Sequence, residues 1–135
     1  MSVKDVVTSL KAHGIQPSAQ RVAVGEYVLT TEDHPSADQV FHRVKKSFPM
    51  VSRATVYNSL NLFVEKGLLR AFVLAPGKIV FDPKTESHHH FIDEQTGEIV
   101  DVPWDAVEVS RVERLKGFEV HEYQVVMRGR RARRG

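Results

Sequence analysis

"SRATVYNSLNLFVEKGLLRAFVLAPGKIVFD", residues 52–82, carries a helix, a stop and two strands in one run. Ser52 is placed to cap the helix. Val56, Leu60 and Phe63 fall together on one side of a helical wheel, and Gly67 supplies a C-terminal stop. "LLRAFVL" and "KIVFD" then alternate as strands around a turn containing Pro76 and Gly77. Opposite the apolar side, Arg53, Tyr57 and Asn61 form an i, i+4, i+8 stripe with Asn58 beside them. Arginine and asparagine make bidentate contacts to base edges, and Tyr57 can stack on a base or thymine methyl, or bond a phosphate. An amphipathic helix with a merely polar outer face has the same pattern. The order helix, turn, helix, hairpin weighs against that plainer reading, because it describes a winged helix-turn-helix whose second helix enters the major groove.

Upstream, three helices lead into this run. "HPSADQVFHRVKKSFP", residues 34–49, offers Ser36 as a cap, an apolar stripe of Ala37, Val40, Phe41 and Val44, and Pro49 as terminator. "PSAQRVAVGEYVLTTEDH", residues 17–34, offers Ser18 and then Val22, Val24, Val28 and Leu29. Val3, Val6, Val7 and Leu10 recur at helical spacing before Gly14.

Downstream, the polar stretch "PKTES", residues 83–87, suits a hinge. A strand over 88–93, a strand over 98–102, a helix around 104–116 ended by Gly117, and a strand over 118–127 are expected to follow. That is a small α/β unit. Its roughly 50 residues are few for an independent core, so pairing with a second copy is expected. The predicted fold class is therefore α+β: a winged-helix DNA-binding domain over 1–83, a hinge over 84–87, and a small α/β dimerisation domain over 88–135 with a basic tail.

"SHHHFIDEQTGEIVD", residues 87–101, carries the most concentrated chemistry. Alternate strand residues share a face, so His88 and His90 point one way and His89 the other. If Glu94 to Gly97 form the hairpin loop, residue 93 pairs with 98 and His90 lies opposite Asp101. His88, His90 and Asp101 then converge. Imidazole with carboxylate suits Fe²⁺, Mn²⁺ or Zn²⁺. The competing reading is a polar strand whose histidines face solvent. His13, His42 and His121 read as ordinary surface residues.

Composition narrows the class. The chain has 135 residues and no cysteine, which excludes disulfides, thiolate metal sites and thiol catalysis and fits a cytoplasmic protein. No apolar run reaches the roughly 20 residues that span a bilayer, and the N-terminus has charges inside its apolar pattern, unlike a signal peptide. The net charge of +2 conceals a basic N-terminal part, an acidic stretch over 84–127 with four Lys/Arg against ten Asp/Glu, and five arginines in "RGRRARRG". Such a tail can touch nucleic acid or remain a solvated terminus.

Over nearly its whole length the chain resembles the ferric uptake regulator family of bacterial metal-dependent repressors. The resemblance rests on "HPSADQVF", "SRATVYNSLNLFVEKGLL", "FD" and "HHHFIDEQTGEIVD" together. It implies a regulatory site of His34, Asp82, His88, His90 and Asp101, bridging two domains and holding one divalent metal per subunit, Fe²⁺ or Mn²⁺, with Zn²⁺ admissible. It implies a homodimer on an AT-rich palindrome of double-stranded DNA, away from membranes. Arg53, Tyr57 and Asn58 are the implied base readers, and Arg21 and Lys11 the implied phosphate contacts.

Two departures matter. Asp93 and Thr96 stand where many relatives have a first C-x-x-C pair, and "RGRRARRG" replaces the second, so a structural zinc is expected to be absent. Glu108 matches an additional metal site of many relatives, but Ser87, His89 and Tyr123 do not complete it, so that site is expected to be weak or lost. Asp101 is the choice of the peroxide-sensing branch, in which an iron-bound histidine is oxidised; His34 and His88 are the candidates. "HHHF" and the arginine-rich end also resemble the haem-sensitive iron-response branch, which stays open. A metallohydrolase would need an open metal position, and five protein ligands leave little room for one. A metal-independent winged-helix module is the remaining alternative.

Overall fold

The computed structural model describes residues 1–133, and the expected contribution of Arg134 to the basic tail lies outside them. The chain divides into two compact units, Met1–Thr85 and a second from Glu86 onward.

Serine caps set the helices of the first unit. Ser2, Ser18, Ser36 and Ser52 each accept the backbone N–H three residues on, opening α1 (Val3–Ala12), α2 (Ala19–Val28), α3 (Ala37–Ser47) and α4 (Arg53–Glu65). At the first and third, Asp5 and Gln39 close capping boxes. Val6, Leu10, Val24, Val28, Val40, Val44, Val56, Leu60 and Phe63 from these helices form one continuous core. Val3 stays outside it. Helices α1 and α2 pack tightly at Gly25, where a Cβ would meet Val6 Cγ1 at 2.7 Å.

The hairpin follows as β1 (Arg70–Ala75) and β2 (Lys78–Asp82), antiparallel, around Pro76 and a left-handed Gly77 (φ +76°). Phe81 N–H donates to Pro35 O at 2.9 Å. That bond ties the end of β2 to the segment before α3, a link that positions two of the candidate ligands.

In the second unit β3 (His88–Asp93) is the central strand, flanked by antiparallel β4 (Ile99–Pro103) and parallel β5 (Val126–Gly129). The four-residue loop Glu94 to Gly97 sets the register, and His90 pairs with Asp101 as its length requires.

The connection from β4 to β5 departs from expectation. The helix expected around 104–116 is replaced by two 3-10 turns, Trp104–Ala106 and Val112–Arg114. Val107 and Val109 alternate with exposed Glu108 and Ser110, a two-residue period rather than a helical one. Pro103 gives no side-chain cap, and Arg111 adopts φ +68°, which interrupts any helix through it. Among the described residues this segment is only partly covered: Val107, Val109 and Val112 are part-buried and Leu115 is half exposed. A short helix without a packing partner is marginal in water. The strand expected over 118–127 forms only from Val126, and Phe118, in the irregular segment before it, is 72% exposed. The α+β class holds, with the small unit's helical part reduced to those turns. Among the described residues no helix is long and apolar enough to cross a membrane.

Candidate metal centre and nucleic-acid face

In the first unit, His34 and Asp82 meet. His34 is buried and takes a left-handed backbone (φ +51°), uncommon for a side-chain-bearing residue. Its Nδ1 lies 2.9 Å from Glu32 O. A carbonyl only accepts, so Nδ1 donates and Nε2 is the ring nitrogen left to face Asp82 or a metal. Nε2 lies 3.1 Å from Asp82 Oδ2, while Asp82 Oδ1 accepts the Lys84 N–H at 2.9 Å.

In the second unit, His88, His90 and Asp101 converge. His88 Nδ1 lies 2.7 Å from Glu86 O, and His90 Nδ1 lies 2.9 Å from Gln124 Oε1. Both rings thereby present Nε2 to Asp101 Oδ1, at 3.2 Å from His88 and 3.6 Å from His90. The two rings pack edge-on, their centroids 4.7 Å apart.

All three imidazoles share one arrangement: an oxygen on Nδ1 and Nε2 turned toward a carboxylate. A neutral Nε2 lone pair facing a carboxylate oxygen is repulsive unless a cation or a proton stands between them. Metal-binding histidines characteristically donate their other ring N–H to a carbonyl or carboxylate, which fixes the tautomer. Both donor sets therefore fit a divalent cation, and imidazole with carboxylate suits Mn²⁺, Fe²⁺ or Zn²⁺.

His89 is the internal contrast. It is equally buried, yet its Nδ1 accepts the Val125 N–H at 2.9 Å. Its ring stacks on Trp104 at 4.5 Å, and Trp104 in turn lies 4.8 Å from Tyr123. His89 is thus the opposite tautomer in an aromatic stack. Asp93 is also committed locally, its carboxylate closing the hairpin loop by accepting the N–H groups of Gln95 and Thr96.

Gln124 and the carbonyls of Glu32 and Glu86 were not found by sequence reasoning. Backbone carbonyls carry no sequence signal, and Gln124 stands 34 residues from His90. His42 and His121 are exposed, and His13 bonds only its own helix, through Ser9 O.

On the first unit, α4 buries Val56, Leu60 and Phe63 and leaves Arg53, Tyr57, Asn58 and Asn61 outward. Asn58 shares a polar cleft of about 480 Å³ with Arg21 and Thr55. Arg21 is half-buried and donates from Nη1 to Gln16 O at 2.9 Å, bracing the turn before α2. Lys11 is exposed in the last turn of α1.

A helix, turn, helix and hairpin joined to a sheet with histidine–carboxylate clusters define a metal-responsive DNA-binding regulator. The chain belongs to the ferric uptake regulator family, whose model matches residues 12–128. The members are transcription regulators, not enzymes, that bind DNA and act as dimers. It is 30% identical over 129 residues to the peroxide-responsive repressor PerR of Staphylococcus aureus, covering 94% of this chain and 87% of that protein. Its fold matches the ferric uptake regulator of Francisella tularensis with iron (TM-score 0.70, 23% identity, 87% of this chain and 92% of that one). It also matches the Pseudomonas aeruginosa regulator with manganese (TM-score 0.64, 24% identity, 93% and 97%).

Proposed function

We propose that this chain is a metal-dependent repressor whose His34, Asp82, His88, His90 and Asp101 close on one divalent ion, Fe²⁺ or Mn²⁺, with Zn²⁺ admissible. The shared tautomer of the three histidines carries this reading. The residues divide by unit: His34 and Asp82 move with the winged helix, and His88, His90 and Asp101 with the small sheet. Bound there, the ion supplies a positive centre that offsets two carboxylates and ties the two sets together. Glu32, Glu86 and Gln124 hold the imidazoles in the ligating orientation. Ligation then favours one arrangement of the two domains, over 1–83 and from 88 onward about a hinge at 84–87. In a homodimer two copies of α4 would reach successive major grooves of an AT-rich palindrome. Arg53, Tyr57 and Asn58 are the proposed base readers, with Arg21 and Lys11 on phosphates. A structural zinc is not part of this reading: the chain has no cysteine, and the Asp93 carboxylate is engaged by the Gln95 and Thr96 N–H groups.

The likeness to a peroxide-responsive repressor supports iron and peroxide as the signal. Hydrogen peroxide would transfer one oxygen atom to the imidazole of His34 or His88 and leave as water. Mass spectrometry of the Fe²⁺-loaded protein after peroxide should find that added oxygen on a peptide containing one of them. Its absence from every histidine peptide transfers the reading to the haem-responsive alternative.

The test of metal dependence is fluorescence anisotropy with chelator-treated protein, an AT-rich duplex and anaerobic Mn²⁺ titration. Binding should appear only with metal. Equal affinity in chelator overturns the proposal in favour of a metal-independent winged helix.

A further inference from the structure

Arg53 opens α4, and its guanidinium does not project alone. Nη1 bonds Asp38 Oδ1 of α3, and the guanidinium carbon lies 4.6 Å above the centre of the Phe41 ring. The other Asp38 oxygen lies 3.4 Å from His42 Nε2 one turn along α3. Phe41 is buried in the core and cannot swing away. One edge of the guanidinium is thus fixed by a carboxylate and one face by a ring. Arginine has five N–H donors in a rigid plane, so donors remain on the opposite edge.

This pair does little for stability. Both side chains are about half exposed, at 53% and 52%, and exposed ion pairs contribute little. A carboxylate beside a surface meant for a polyanion also weakens non-specific attraction. Bidentate reading of a base edge, however, requires the guanidinium plane to be set before contact.

We propose that Asp38 is a specificity-determining residue: with Phe41 it orients Arg53 for base reading and simultaneously disfavours indiscriminate phosphate binding. The proposal rests on the DNA-reading role of α4 given above. Asp38 also lies in the first turn of α3, where a carboxylate favours the helix dipole regardless of DNA. The test must separate those two roles.

The wild-type protein with Mn²⁺ is used to enrich a sequence from a randomised duplex pool. Affinity is then measured for the enriched duplex and for a shuffled one, with wild type, Asp38→Asn, Asp38→Glu, Arg53→Ala and the Asp38→Asn/Arg53→Ala double variant. The ratio of the two affinities cancels any loss of active protein. Arg53→Ala should lower that ratio about tenfold, within the range for one bidentate contact. Asp38→Asn should lower it about threefold, partly by tightening the shuffled duplex. Asp38→Glu should recover most of the loss, and Asp38→Asn should add nothing in the Arg53→Ala background. An unchanged or raised ratio for Asp38→Asn overturns the proposal. So does an equal fall in the double variant, which would assign the effect to helix α3 itself. A wild-type protein that enriches no sequence overturns the DNA-reading role itself, a result distinct from either.

Discussion

The two units bury different chemistry. In the first, most buried side chains are valine, leucine, isoleucine and phenylalanine, with His34, Ser59 and Asp82 as polar exceptions, and the core is continuous from α1 to β2. In the second, Ile92 is the only buried apolar residue among those described, while His88, His89, His90 and Asp93 are buried with it. Apolar burial is favourable wherever it occurs, whereas buried imidazoles and carboxylates are tolerable only when partnered. The first unit therefore carries its own stability. The second depends on what its polar groups hold, and it leaves Leu115, Phe118 and Val120 outward. Within β3 the same division recurs on a smaller scale: His88 and His90 present Nε2 to a carboxylate, and His89 presents its ring to Trp104.

The largest effect should come from breaking the apolar side of this comparison. Phe63→Ala removes a side chain of 0% exposure at the centre of the helical core. It should cost about 3–5 kcal/mol in urea unfolding. A loss below about 1 kcal/mol would mean that the first unit is not held by this core.

Next come the two faces of β3. His90→Ala should weaken Mn²⁺ binding, followed by calorimetry, by about 100-fold or more, since even outer partners of metal ligands contribute 10–100-fold. His89→Ala should leave Mn²⁺ affinity within about threefold while lowering thermal stability through loss of the Trp104 stack, a contact worth about 0.5–1.5 kcal/mol. Equal losses of affinity for the two variants would erase the distinction drawn from their tautomers. One step further out, Gln124→Leu removes the acceptor on His90 Nδ1 but leaves the ligand in place. It should lower Mn²⁺ affinity about tenfold. An unchanged affinity would show that Gln124 does not orient the ring.

What could be read from the sequence follows the same division. Ser18, Ser36 and Ser52 were legible as caps because a cap is a local event, one hydroxyl and an N–H three residues away. The pairing of His90 with Asp101 was legible because a four-residue loop fixes the register of a hairpin. "WDAVEVSRVERL", residues 104–115, was not legible as two 3-10 turns. Its valines fit helix and strand alike, and the outcome turns on whether a surface exists to cover them. The meeting of His34 with Asp82 depends on a left-handed backbone at one residue and on a bond from Phe81 N–H to Pro35 O. Neither leaves a pattern in the sequence; the resemblance to the family supplied those two residues as ligands.

The smallest effect concerns the arginine tail, which tests whether the basic charge of one end serves DNA or its own unit. Gly129 O accepts the Glu94 N–H at 2.8 Å, and Arg131 pairs with Glu98 at 3.1 Å, so the described part of the tail runs along the β3–β4 loop. The residues it follows are acid-rich, with ten Asp/Glu against four Lys/Arg over 84–127. An arginine facing that stretch offsets local repulsion and is a poor counterion for phosphate. Deleting residues 130–135 should therefore change the slope of log affinity against log salt by less than about one unit, the contribution of a single phosphate contact. It should cost the small unit no more than about 1 kcal/mol, the scale of one exposed ion pair. A fall in slope of about two units or more would mean that at least two tail arginines neutralise phosphates. The tail would then belong with Arg21 and Lys11 on the nucleic-acid face, and the charge asymmetry of the chain would be a division of labour rather than a local balance.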